Sequence, residues 1–261
     1  MTTPRLSVLA WNPGDKLIDR EGLRAMPPPT KLGSRHKPVP HIELVEAIEA
    51  AFDIYGFELS QEQLVVNKTG AKLFGGGIVT PVTEGTLADD LIDYQRNGQA
   101  FAVVFRSGND GHVAIRLAAG RVAFICSNLD IHADFIALQR RHTVKLNLER
   151  ELEEAVERYV GHTRSFVELT DRAGEIELTD DDARLITFKV FERGLVLPRL
   201  FPQVVKNYFN PDEGWADCWP DTRLGLHGAF TRALRSLAPE PKLKATRNVA
   251  RILLPDDPEL N

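Results

Sequence analysis

FAVVFRSGNDGHVAIRLAAGRVAFICSN, residues 101–128, alternates large apolar side chains with small or polar ones. Phe101, Val103 and Phe105 repeat with a period of two, as do Val113, Ile115 and Leu117, then Val122, Phe124 and Cys126. That period marks half-buried antiparallel strands. Large apolar side chains must share one face, which sets a register. Phe105 falls opposite Ile115 and Val103 opposite Leu117, leaving Asn109-Asp110-Gly111 as a three-residue loop with Gly111 in its left-handed position. Leu117 opposite Val122 and Ile115 opposite Phe124 leave Ala119-Gly120 as a two-residue turn, although alanine fits a primed turn poorly. In this three-strand meander Cys126 lies beside Val113, and Asn128 lies near the Asn109-Asp110 turn. The second face gathers Arg106, Arg116 and Arg121 with His112, Ala114 and Ala118. Such a face can admit a packed helix or a phosphate backbone.

Outward from the meander, residues 1–40 read as an extended arm. Trp11-Asn12-Pro13-Gly14 and Met26-Pro27-Pro28-Pro29 are turn and polyproline signals with no sustained period between them. Ile42, Val45, Ile48, Phe52 and Tyr55 then repeat at helical spacing up to Gly56. A strand over 62–68, a Thr69-Gly70 turn and a strand over 71–74 lead to Gly75-Gly76-Gly77. That triplet lacks the Gly-Lys-Ser/Thr ending of a phosphate loop and reads as a strand irregularity.

Beyond the meander, Leu148, Leu152, Ala155, Val156 and Tyr159 mark an amphipathic helix capped by Asn147 and stopped at Gly161. Thr179-Asp180-Asp181-Asp182 has the outline of a capping box, its acidic run suiting the positive end of a helix, with Gly194 beyond that helix. The aromatic-rich stretch between Pro198 and Pro220 covers a core or, alternatively, forms a base-stacking platform. Asp221 or Thr222 caps a helix in which Gly225 and Gly228 allow close approach to the sheet or to a second copy of the chain. The fold class is therefore α+β: an antiparallel β-meander sheet of about five strands packed by helices, with a helical C-terminal portion. One domain spans residues 41–254, sheet-rich over 57–128 and helix-rich over 143–254, followed by an acidic tail over 255–261.

The 261 residues are 43% hydrophobic and 26% charged, ordinary for a soluble protein with a sizeable core. No apolar run is long enough to span a bilayer, and no signal-peptide pattern opens the chain. Cys126 and Cys218, far apart, suggest no disulfide framework, so a cytoplasmic location is expected. The net charge of −5 is uneven: residues 1–40 carry +4, residues 221–254 carry +5, residues 255–261 carry −3, and the middle holds the remaining −11. Basic ends permit local contact with phosphates within an acidic chain.

One pool of side chains near the meander could carry chemistry: His36, His41, Asn109, Asp110, His112, Asn128 and His132. The register sends Cys126 and His112 to opposite faces, against joint coordination, and no His-Glu-x-x-His or Gly-x-Ser-x-Gly motif is present. No catalytic signature is established.

Four segments occur in order: His36-Lys37-Pro38-Val39-Pro40-His41 with Glu43-Leu44-Val45, the turn from Ser107 to His112, Val122-Ala123-Phe124-Ile125-Cys126-Ser127-Asn128, and Leu226-His227-Gly228-Ala229-Phe230-Thr231. Together they resemble the plasmid- and phage-like family catalogued as domain of unknown function nine-three-two, over residues 35–250. The resemblance implies a mobile-element origin and an accessory part in DNA metabolism, with no settled activity. The order of helix, meander and long helix also resembles single-strand annealing proteins at the level of layout. The leading expectation is nucleic-acid binding without catalysis or cofactor, to single- or double-stranded DNA. It uses Arg106, Arg116 and Arg121 on the sheet and Lys242, Lys244, Arg247 and Arg251 near the C-terminus. The alternatives are a divalent-metal-dependent hydrolase or nuclease drawing on His36, His41, Asp110, His112 and His132, and a protein-interaction factor acting on a host enzyme.

Overall fold

The computed structural model describes residues 14–82, 99–123, 128–212, 221–237 and 239–253, with only the backbone path along 119–123, 128–136 and 162–167 and at 239, 240, 243, 247 and 251. Within these residues one antiparallel sheet runs in chain order: β1 (Lys16–Ile18), β2 (Phe57–Val66), β3 (Lys72–Pro81), β4 (Gln99–Gly108), β5 (Ile115–Ala123) and β6 (Asn128–Arg140). The helices are α1 (Arg20–Arg24), α2 (His41–Ile54), α3 (Leu148–Glu175), α4 (Asp180–Glu192), α5 (Phe201–Phe209), α6 (Arg223–Ala233) and α7 (Pro239–Leu253). The α+β class and the helical C-terminal portion are as the sequence indicates.

The period-two alternation gives the sheet one apolar face. Leu73, Val79, Phe101, Val103, Phe105 and Leu117 pack there against Leu44, Ile48 and Phe52 of α2 and Leu152, Val156 and Tyr159 of α3. Each such side chain contributes about 1.5–3 kcal/mol when fully buried. The Phe52 and Tyr159 rings meet edge-to-face at 5.2 Å, tying the two helices together over the sheet. A second core joins α4, α5, α6 and α7 through Val190, Val204, Leu226, Phe230, Leu234 and Val249. In α6 every residue from Gly225 to Thr231 is buried, as befits a helix surrounded by others. Both α6 and α7 touch β6, so this helical layer abuts the sheet.

Four expectations are corrected. The β4–β5 register is offset by two residues, with Phe105 opposite Leu117 and Val103 opposite Ala119. An even offset keeps the apolar face intact while the loop grows to residues 109–114. Asp110 accepts the His112 amide at 3.0 Å, an Asx-turn, and Gly111 takes φ +76° as its sequence position predicts. Residues 101–128 also do not form three strands. β5 runs straight through Ala119-Gly120, pairing with β4 as far as Gln99 opposite Ala123. Without a residue suited to positive φ at Ala119, continued ladder pairing is the better solution. Residues 124–127, with Phe124 and Cys126, lie outside the described residues.

The expected extended arm is partly folded. β1 adds a sixth strand, Asp19 caps α1 through the Gly22 amide at 2.7 Å, and Leu23 is buried. Arg20 fixes this segment by bonding Glu49 of α2 and Glu62 of β2, at 2.6 and 2.9 Å. α3 passes through Gly161 to Glu175, because its apolar stripe resumes at Leu169 and Ala173, which pack with Leu224 and Ala250.

Gly75-Gly76-Gly77 lies inside β3, as its reading against a phosphate loop requires. The Phe105 ring fills the space that a Cβ on Gly75 would take, and a Cβ on Gly76 would sit 2.8 Å from the Val103 carbonyl. The glycines let an aromatic ring and a neighbouring strand close onto the backbone.

Candidate nucleic-acid interface

The β2–β3 turn (67–71) and the β4–β5 turn (109–114) emerge at the same end of the sheet, where β6 also finishes. Residues 31–40 cross this end as a strap. His36 forms a β-bridge with Thr143, the Lys37 amide donates to the His142 carbonyl at 3.3 Å, and the Val144 amide donates to the Arg35 carbonyl at 3.1 Å. Asn109 holds the strap from beneath. Its Nδ2 donates to the Val39 carbonyl at 2.8 Å and its Oδ1 accepts the Val39 amide at 3.0 Å. The Lys37 ammonium reaches the Leu146 carbonyl at 3.1 Å. Leu32 touches the β4–β5 turn over Gly111, and Met26 touches the β2–β3 turn over Gly70.

Three histidines lie along this seam. His41 Nε2 stands 3.0 Å from the Gly70 carbonyl and must carry the proton to donate. His142 Nε2 lies 3.0 Å from Ser107 Oγ, and both side chains are buried. His36 accepts the Leu32 amide on Nδ1 at 3.3 Å, and its ring centroid lies 5.9 Å from that of His142. Burial, followed by the proximity of His36, pushes His142 down to about 4. Burial lowers His41 as well. Both rings are therefore neutral near neutrality. Asp110 is held below the usual carboxylate range: burial opposes its charge, but the His112 amide and the Lys72 ammonium at 3.4 Å outweigh it.

Ser107 beside His142 has the outline of a nucleophile and base. Ser107 is 0% exposed, however, and no carboxylate among the described residues hydrogen-bonds His142 Nδ1 to orient the ring. This pair closes a buried seam. Among the described residues no three His, Cys, Asp or Glu side chains group closely enough to hold a metal ion.

Of the site pool read from sequence, His36, His41, Asn109 and Asp110 do converge here, and His112 sits on the same turn with its side chain exposed. Asn128 does not. It pairs with Ala123 at the far end of β5, about 26 Å from Ile115 at strand spacing. His132 follows Ile131, which pairs with Gly120, and so is also displaced from the turn. The single long β5 separates these two positions from the rest.

Of the seven basic positions proposed from sequence, the structure describes the side chains of Arg106, Arg116, Lys242 and Lys244. Arg106 and Arg116 are direct cross-strand partners, and both are half-buried. Burial, and then Arg116, push Arg106 down to about 10. Arg121 pairs with Phe101 and Asp130, five positions along β5 from Arg116. The side chain of Arg121 lies outside the description. Lys242 is buried at 5% exposure and Lys244 is exposed, while the side chains of Arg247 and Arg251 on α7 lie outside the description.

A further cationic group lies at the sheet end, where Lys37 and Lys145 share a groove with Glu43, Glu46, Glu149 and Glu153. Lys31, Arg35, Lys68, Arg141 and Lys145 are exposed there, and none forms an ion pair among the described residues. The bridge between the strap and residues 142–144 brings Arg35, Lys37, Arg141 and Lys145 together. Ser107, His142 and this cation group were not singled out from sequence as a site. Arg141-His142 is visible as a basic pair, but the partner that gives it meaning lies more than a hundred residues earlier. Comparison with family models, with curated proteins and with solved structures finds no match for this chain.

Proposed function

We propose that the protein is a cytoplasmic, non-catalytic nucleic-acid-binding factor that meets the phosphate backbone with the strapped end of its sheet. The observation that carries this reading is the group Lys31, Arg35, Lys68, Arg141 and Lys145, exposed and without carboxylate partners among the described residues. Exposed lysines and arginines not engaged by carboxylates can meet phosphates, with release of counterions from the nucleic acid. Asn109 and the seam histidines hold the strap in place without touching the ligand. The mobile-element accessory role implied by the family resemblance belongs with this reading.

Fluorescence anisotropy with labelled single- and double-stranded DNA tests it. Binding should weaken steeply with salt, and Arg35→Glu with Arg141→Glu should lower affinity at least about tenfold and flatten the salt slope by about two units. No binding of either DNA by the wild-type protein at about micromolar concentration and low salt would sink the reading. Among the described residues no helix is long and apolar enough to cross a membrane.

A further inference from the structure

We infer a second nucleic-acid contact, on the C-terminal helices, at which Phe188 and Phe201 stack bases and Lys189, Arg193 and Arg199 hold the phosphates of a single strand. It rests on the nucleic-acid reading above and specifies the strand type. Phe188 is 58% exposed and Phe201 is 41% exposed. They are the only exposed aromatic side chains among the described residues. Leu185, one turn before Phe188 on α4, and Leu197, four residues before Phe201, are exposed apolar residues as well, and Phe191, three residues after Phe188, touches the Phe201 ring.

Both rings stand on elements anchored to the core. Ala183, Thr187 and Val190 bury the inner side of α4, which leaves Leu185 and Phe188 turned outward. Phe191, one turn beyond Phe188, packs edge-to-face on Phe201 at 5.1 Å and stacks on buried Phe230 at 5.9 Å. Pro202 follows Phe201 in the first turn of α5, and Pro198 opens the 3-10 turn before it. Both rings are thus presented on backbone that is already fixed, which reduces the ordering lost on binding.

The charges decide among occupants. Lys189, Arg193 and Arg199 are exposed and form no ion pair among the described residues, whereas Arg184 is engaged by Asp180 and Asp181 at 2.9 and 3.0 Å. The carboxylates of 180–182 stand at the start of α4, about 9–12 Å along the axis from Phe188, just beyond a Debye length at physiological salt. A flat anionic membrane would meet both ends of α4 and be repelled by its start. A flexible strand can follow the cationic end alone, past Glu192, and lay bases on the rings. Aromatic rings interleaved with cations are the pattern that binds single strands without sequence preference.

The test uses the full-length protein, labelled oligothymidine and a labelled duplex of matching length. Phe188→Ala with Phe201→Ala should weaken oligothymidine binding about tenfold or more, while duplex affinity stays within about twofold. Phe188→Tyr keeps a π-face and should retain binding. Photocrosslinking of bromodeoxyuridine-substituted oligonucleotide should label the peptides carrying Phe188 or Phe201. Unchanged oligothymidine binding in the double alanine variant overturns the inference, as does an equal loss for duplex. Flotation with phosphatidylglycerol vesicles that depends on Phe188, or a dimer that Phe188→Ala splits, would replace it with a membrane contact or a self-interface. Arg35→Glu with Arg141→Glu separates the two sites. Loss of duplex with residual Phe-dependent oligothymidine binding leaves this surface standing, and retention of both ligands sinks only the sheet-end reading. Binding of neither DNA by the wild type rejects both.

Discussion

His142 shows how one buried side chain makes the seam sensitive to acid. Its ring faces Ser107 from β4, His36 from the strap, His41 from α2 and Asp110 from the β4–β5 turn. Its folded value of about 4 lies below the ordinary 6.5. Between those two values the unfolded chain binds the proton and the folded protein does not, so stability falls as pH drops from about 6.5 toward 4 and levels below that. The contribution is on the order of 3 kcal/mol across the window. Urea titrations at about pH 7 and pH 5 should show the wild type losing stability on acidification, with a smaller loss in His142→Gln. Equal losses in the two proteins would remove His142 as the source. Asn109 is a second single-residue dependence. It satisfies both the amide and the carbonyl of Val39 in a buried setting. Asn109→Ala leaves two buried backbone groups unpaired and should destabilise by about 2–4 kcal/mol, read as a lower Tm. The tripeptide Asn-Asp-Gly announces a turn in the sequence, and Gly111 fills the role foreseen for it. Nothing local announces that Asn109 serves a segment 70 residues earlier.

Elements were legible where their determinants are local. Thr179 and Asp182 form the reciprocal capping box, Asn147 caps α3 through the Arg150 amide, and Thr222 caps α6 through the Gly225 amide. Each device lies within three residues of the end it serves, so reading it requires no knowledge of the fold. Register was less legible. Every even offset of β4 on β5 buries the same apolar face, and the choice among them is made by the Asn109 clamp and the Asp110 turn. The β6 strand and the strap were missed for a related reason, since their pairings follow from neighbours distant in sequence. The small residues of α6 illustrate the local kind of inference. Gly228 is buried and its carbonyl accepts the Thr231 hydroxyl at 3.0 Å, while the next carbonyl, of Ala229, accepts Asn207 Nδ2 at 3.0 Å. A branched side chain at Gly228 must displace packed neighbours. Gly228→Leu should lower Tm sharply or abolish folding, and Gly228→Ala should be mild, offset by about 1 kcal/mol of gained helix propensity. Equal melting of the leucine variant and the wild type would show that the buried surroundings of α6 yield freely.

For the molecule as a whole, the distribution of charge matters more than its net value of −5. The sequence shows basic ends around an acidic middle, but it does not show which cations reach solvent together. Folding withdraws Arg106 and Arg116 into adjacent, half-buried positions and buries Lys242, while it gathers Arg35, Lys37, Arg141 and Lys145 across a bridge between distant segments. The two basic sites should therefore respond differently to mutation. Arg106→Gln removes a cation that burial and Arg116 already disfavour, so it should leave DNA affinity within about twofold. Arg35→Glu with Arg141→Glu alters exposed side chains, so it should leave Tm within a few degrees while DNA affinity falls at least about tenfold. Measuring Tm and the salt dependence of anisotropy on both variants distinguishes a contact surface from a structural pair. A large affinity loss in Arg106→Gln, with none in the strap variant, would move the interface back to the sheet face.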